Sequence, residues 1–276
     1  MAGRALVLGG GGVTGVAWEI GVLAGLAADG VDLSTADLVV GTSAGSVVGA
    51  QLRSGVPAEE MYQRQLAGYG AEAAARLNGL AIARWAWAVM RSRDPRRARA
   101  RVGRMALAAR TMPESERRAV IEARLSKHEW PAGGLLITAV DAESGEFVTF
   151  DRNSGVPLVD AVGASCAVPG VWPPVTIDGR RYVDGGVRSP ANVDLAAGYE
   201  RIVVLAPTSG GGPFPSMARQ VSRLRNRSRV VAVTPDPAAR RAIGRNVLDP
   251  ARRAGAARAG RTQAAAVSPA IRGIWG

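Results

Sequence analysis

The chain has 276 residues, 47% hydrophobic and 21% charged, enough to bury the core of one large α/β domain and too apolar for a disordered chain. Its one cysteine, Cys166, excludes an intrachain disulfide and suits a reducing compartment. The apolar stretch before the first glycines is too short for a secretory signal, and no apolar run reaches the roughly 18 residues that span a bilayer. The formal net charge of +12 is uneven: residues 76–110 carry +9 and 216–276 carry +11, while 1–75 and 111–215 carry −4 each. Only Lys127 among the 35 basic residues is a lysine, so part of this excess reflects an Arg-biased composition. With no zinc-finger or aromatic-interleaved pattern, nucleic acid is not an expected partner, and an anionic membrane surface is the partner such a charge suits. The expected location is the cytoplasm, with peripheral contact to a membrane.

In chain order, residues 5–8 read as a strand stopped by four glycines, 13–28 as a helix, 38–40 as a second strand and 44–52 as a second helix. Strand, glycine turn and helix, twice over, open a parallel α/β sheet. Residues 58–127 are rich in Ala, Arg and Leu and read as a helical insertion broken at Asp94-Pro95 and Met112-Pro113. Strands follow at 135–140 and 147–150, a helix at 157–164, and a hairpin of 175–177 and 181–183 around Asp178-Gly179. Residues 202–206 and 230–234 supply further strands, and 238–267 are helical in composition and Arg-rich. The organisation is a single domain over residues 1–276, with helical segments at about 57–130 and 236–276.

Three stretches carry chemistry. The first, LVLGGGGVTG, places Gly9 to Gly12 between a strand and a helix, where uncovered backbone N–H groups and the helix dipole favour an anion, whether bound or formed during a reaction. Gly10, Gly12 and Gly15 also satisfy G-x-G-x-x-G, but a dinucleotide site wants an acid at the end of the second strand. That strand ends in Gly41-Thr42-Ser43, and Asp37 stands at its wrong end. The second, GTSAG at residues 41–45, fits G-x-S-x-G; Ser43 follows a strand and precedes a helix, as a nucleophile elbow requires and as an N-cap serine also does. The third concerns the base. The one histidine, His128, sits in a polar stretch at the end of the insertion, whereas Asp184 ends a strand and is followed by Gly185 and Gly186.

Glycine loop, G-x-S-x-G and Asp-Gly-Gly in that order resemble the patatin-like phospholipases. The small-residue and proline block ASCAVPGVWPP at residues 164–174 is similar to the one that family places between elbow and aspartate. The resemblance implies a three-layer α/β/α fold with a mainly parallel central sheet, and hydrolysis of lipid acyl esters by a Ser-Asp dyad without a cofactor or metal. It implies Ser43 as nucleophile, Asp184 as base, and the amides of Gly10, Gly11 and Gly12 as the oxyanion hole. Two positions depart from it. Thr14 stands where the family loop usually carries Arg or Lys, and Ala17-Trp18-Glu19 stands where many members have a histidine. The missing charge leaves a non-catalytic member that binds a lipid or a partner as the alternative. Cys166, among small apolar residues, reads as buried filler. Residues 80–90, LAIARWAWAVM, with arginines at 91, 93, 96, 97, 99, 101 and 104 after them, suit either an interfacial helix or a core helix beside a solvated basic face.

Overall fold

A computed structural model describes residues 3–67, 92, 94–208 and 216–276. The stretch 80–90 and its first two arginines lie outside the described residues. Among these, eight strands form one mixed sheet: β1 (Arg4–Leu8), β2 (Leu38–Gly41), β3 (Gly134–Asp141), β4 (Phe147–Phe150), β5 (Val175–Ile177), β6 (Arg180–Asp184), β7 (Arg201–Leu205) and β8 (Arg229–Val233). The order is β5-β6-β3-β2-β1-β7-β8, with β4 paired to β3. The strands from β3 to β8 along this path run parallel, and the pairs β3–β4, β3–β6 and β5–β6 are antiparallel.

Both faces are covered, which is why the parallel strands are continuous apolar runs rather than alternating ones. Side chains alternate across β1. Leu6 and Leu8 enter a core with helices α1 (Gly12–Ala28), α2 (Ala44–Arg53) and α3 (Ala58–Ala67), while Ala5 and Val7 enter a second core on the opposite face. Helix α4 (Pro95–Leu107) lays Val102 and Ala106 on Val140 and Val183, forming a third cluster. The first core also takes in Ile121 of α5 (Glu114–Arg124) and Leu158 of α6 (Leu158–Ser165). Layer, sheet and layer match the architecture expected from the sequence.

The region after β7 departs from expectation. Helix α7 (Met217–Leu224) occupies a stretch in which no element is predicted, and it buries Met217 and Val221 in the second core. The helical stretch expected over 238–267 consists of two helices, α8 (Pro237–Ile243) and α9 (Arg253–Trp275). Gly244, at φ 74°, ends α8 in the left-handed region that favours glycine, and Pro250 opens a separate 3-10 turn ahead of α9. Helix α9 packs along α1, which is buried almost all round. Trp18 Nε1 donates to Gln263 Oε1 at 3.0 Å and Trp275 Nε1 to Asp32 O at 2.9 Å. No helix among the described residues is long and apolar enough to cross a membrane.

Candidate active site

The site is assembled where β2 leaves the sheet. Ser43 follows Thr42 at φ 52° and ψ −113°, a positive-φ conformation that costs a non-glycine residue about 1–3 kcal/mol unless its surroundings over-determine it. Here they do. Ser43 N–H donates to Ser165 Oγ at 2.9 Å, and Ser43 O accepts from Ser46 N–H at 2.9 Å, Ser46 Oγ at 2.7 Å and Cys166 Sγ at 3.3 Å. Cys166 is buried as expected, but its thiol also helps to fix the turn. The second glycine of the motif is a packing requirement: a Cβ on Gly45 would lie 2.2 Å from Leu8 O, and Gly45 N–H is shared between Thr42 O and Gly9 O.

Strand pairing brings Asp184 to the same place. Strand β4 pairs with residues 137–140 of β3, overlapping both the stretch 134–137 that pairs with β2 and the stretch 139–141 that pairs with β6. A strand has two edges, so β2 and β6 share the other edge of β3, end to end. Ile137 pairs with Gly41 and Ala139 with Asp184, so the aspartate arrives just beyond the point where the serine turn leaves the sheet. Ser43 and Asp184 are 8% and 5% exposed, and the Ser43 hydroxyl is close enough to the carboxyl to favour its ionised form. Gly186 N–H donates to Asp184 Oδ1 at 2.7 Å. Burial pushes the Asp184 carboxyl up to about 6, outweighing the Ser43 hydroxyl and the Gly186 N–H, which favour its ionised form.

Beneath the pair lies a polar clamp that sequence reasoning misses. Asn192 Nδ2 donates to Thr42 Oγ1 at 3.0 Å, to Ser189 O at 3.1 Å, and to Thr138 Oγ1 and Gly185 O at 3.4 Å each. It thereby ties the serine turn, strand β3 and the Asp-Gly-Gly turn into one unit. Asn192 adopts a left-handed conformation, φ 49° and ψ 43°, which asparagine tolerates, but nothing local in the sequence announces its partners.

The glycine loop lines the same cavity, a largely apolar space of about 260 Å³ bordered by Ser43, Asp184 and Gly10 to Gly12. The three amides expected to face an oxyanion are not equivalent. Gly10 N–H is committed to Pro190 O at 2.7 Å, whereas Gly11 and Gly12 N–H have no acceptor among the described residues. Of the three glycines expected to face an oxyanion, only Gly11 and Gly12 thus keep an uncommitted N–H. Both stand at the N-terminus of α1, where the helix dipole favours negative charge. Thr14, in the place of the missing basic residue, is fully buried; its N–H and Oγ1 both donate to Val247 O, at 3.0 and 3.2 Å. Glu19 is fully buried too, and burial holds its carboxyl well above the usual range.

His128 is elsewhere. Half exposed, it contacts Glu122 through both ring nitrogens, at 3.2 Å to the carbonyl and 3.9 Å to the carboxylate, and does not border the cavity. No cluster of metal-ligating side chains is present among the described residues.

Uncharacterized NTE family proteins of Mycobacterium bovis and Mycobacterium tuberculosis are 30% identical to this chain over 212 residues, 75% of its length. The chain spans about half, 49%, of the length of these curated relatives. Among solved structures, VipD from Legionella pneumophila is similar over 98% of this chain and 67% of its own, at 12% identity and a TM-score of 0.48. The type III effector protein ExoU is similar over 99% and 53%, at 15% identity and a TM-score of 0.44. Residues 6–197, which run from β1 past the Asp184 turn and its Asn192 clamp, match the patatin-like phospholipase family, and the chain belongs to that family.

Proposed function

We propose that this chain is a serine acyl hydrolase acting on lipid acyl esters, with Ser43 as nucleophile, Asp184 as general base, and the amides of Gly11 and Gly12 as the oxyanion hole. The observation that carries the reading is a strained, over-determined serine beside a buried aspartate, both bordering one apolar cavity. An ordinary carboxylate is a feeble base; one raised to about 6 is a stronger base that is still largely ionised at neutral pH.

In acylation, Ser43 Oγ attacks the ester carbonyl carbon as its proton passes to Asp184, and the carbonyl oxygen becomes an oxyanion facing the two free amides. Collapse breaks the ester bond; the leaving alkoxide takes the proton from Asp184 and departs as an alcohol, leaving the acyl group on Ser43. Water then repeats the sequence, giving its proton to Asp184 as it attacks. The fatty acid leaves, and the proton returns to Ser43. No cofactor or metal enters these steps.

Labelling by a fluorophosphonate probe tests the assignment: the parent protein and His128→Ala are expected to label, and Ser43→Ala is not. A folded Ser43→Ala variant that labels like the parent refutes it. The second reading, a non-catalytic member that binds lipid or a partner, is motivated by Thr14, whose side chain is spent on Val247 O where the family usually has a cation. Absence of any serine-dependent labelling favours that reading. Contact with an anionic membrane is proposed for α4, which carries Val102 to the cavity wall and exposes Arg96, Arg97 and Arg104. Co-sedimentation with anionic vesicles that survives Glu substitutions at these three positions counts against it.

A further inference from the structure

The cavity is bordered on one side by a segment that the family match does not reach. That match ends at residue 197, whereas Val247 and Leu248 border the cavity beside Gly12. The turn carrying them is fixed at both ends. Gly244 terminates α8, Asn246 Oδ1 accepts from Leu248 N–H at 3.3 Å, Asp249 N–H donates to Asn246 O at 3.1 Å, and Asp249 Oδ1 accepts from Ala251 N–H at 3.0 Å. In its middle, Val247 O takes both hydrogen bonds from Thr14. The turn is seated directly on the glycine loop: a Cβ on Gly12 would lie 2.6 Å from Val247 O and 2.9 Å from Leu248 Cδ2. Leu248 is only 5% exposed and yet borders the cavity, so its side chain belongs to the cavity wall rather than to the outer surface.

We propose that Leu248, held on this turn by Thr14, is the specificity-determining residue that limits the length of the acyl chain the site accepts. The inference rests on the acyl-hydrolase reading of Ser43 and deepens it. A space of about 260 Å³ is at or below the small end of ligand pockets, roughly 300–1,000 Å³, and an apolar wall rejects a chain that is too long sterically, not electrostatically. Thr14 thus takes on a structural duty in this chain: with its backbone N–H and its hydroxyl it docks that wall through Val247 O.

The test compares kcat/KM for p-nitrophenyl esters from butanoate to hexadecanoate in the parent, Leu248→Ala and Leu248→Phe. Shortening the side chain is expected to raise the ratio of long-chain to short-chain kcat/KM by about tenfold, the effect of one or two newly buried methylenes, and enlarging it to lower that ratio. A change in fold stability alone moves all esters together and leaves the ratio where it was. Binding of the corresponding fatty acids to Ser43→Ala, with and without each Leu248 substitution, reads the same limit without catalysis, and the Phe variant serves if the Ala variant does not fold. Ratios and fatty-acid preferences that stay unmoved in the folded variants overturn the inference while leaving the hydrolase reading intact. A fatty-acid length limit that tracks Leu248 in a protein hydrolysing no ester overturns the hydrolase reading and leaves the limit standing.

Discussion

Replacing Asp184 with asparagine is expected to abolish ester hydrolysis and, above neutral pH, to make the protein more stable. Burial raises the carboxyl from 3.8 to about 6, so between those values the folded protein holds a proton that the unfolded chain has lost. Folding stability therefore falls as pH rises through this window, by about 3 kcal/mol for a shift of about two units at ~1.4 kcal/mol each. Asparagine does not titrate and keeps the acceptor for Gly186 N–H. With unfolding entropy of ~2.1 cal/mol/K per residue over 276 residues, the gain is about 5 °C in Tm. Thermal melts of parent and Asp184→Asn across pH measure it: the variant's advantage is expected to be near zero at about pH 4 and to grow to its full value by about pH 8. The kcat/KM of the parent is expected to fall on the acid side with a midpoint near the same value of about 6, as the base becomes protonated. A Tm difference that does not vary with pH refutes the reasoning, because it means that the aspartate is not destabilised by burial.

Other substitutions separate the roles around the serine. His128→Ala, removing a half-exposed residue paired with Glu122, is expected to change kcat/KM by less than about twofold, and a folded variant that loses activity overturns the dyad assignment. Gly45→Ala drives a methyl to 2.2 Å from Leu8 O and is expected to cost more than about 3 kcal/mol in denaturant unfolding; a wild-type midpoint shows that the elbow can relax. Asn192→Ala leaves four clustered polar groups without their shared donor, and a drop of about tenfold or more in kcat with KM little changed is expected; equal loss in both parameters argues against a positioning role.

Much of the site was legible in the chain because its parts are local. Glycines, a serine between a strand and a helix, and an aspartate before two glycines are turn chemistry, and turn chemistry is written in neighbouring residues. The parallel core strands β1, β2 and β7 were readable for the same reason, as short apolar runs bounded by turns. Helix α7 carries a short signal of its own, since Met217, Val221 and Leu224 stand at helical spacing after Ser216; its burial then comes from the second core.

The amino-acid chain specifies the reactive and conformationally permissive residues and the order in which they occur. Which of them meet was decided in three dimensions. Gly10 and Gly11 look alike in the chain, yet Pro190 O takes the amide of one and leaves that of the other free. Thr14 reads as a lost charge until Val247 O is placed above it, and Leu248 is unremarkable until it borders the cavity some two hundred residues from the glycines it packs against. Residue type and spacing encode local conformation, but a hydrogen bond or a wall contact between distant segments depends on the sheet order that brings them together, which no window of sequence contains.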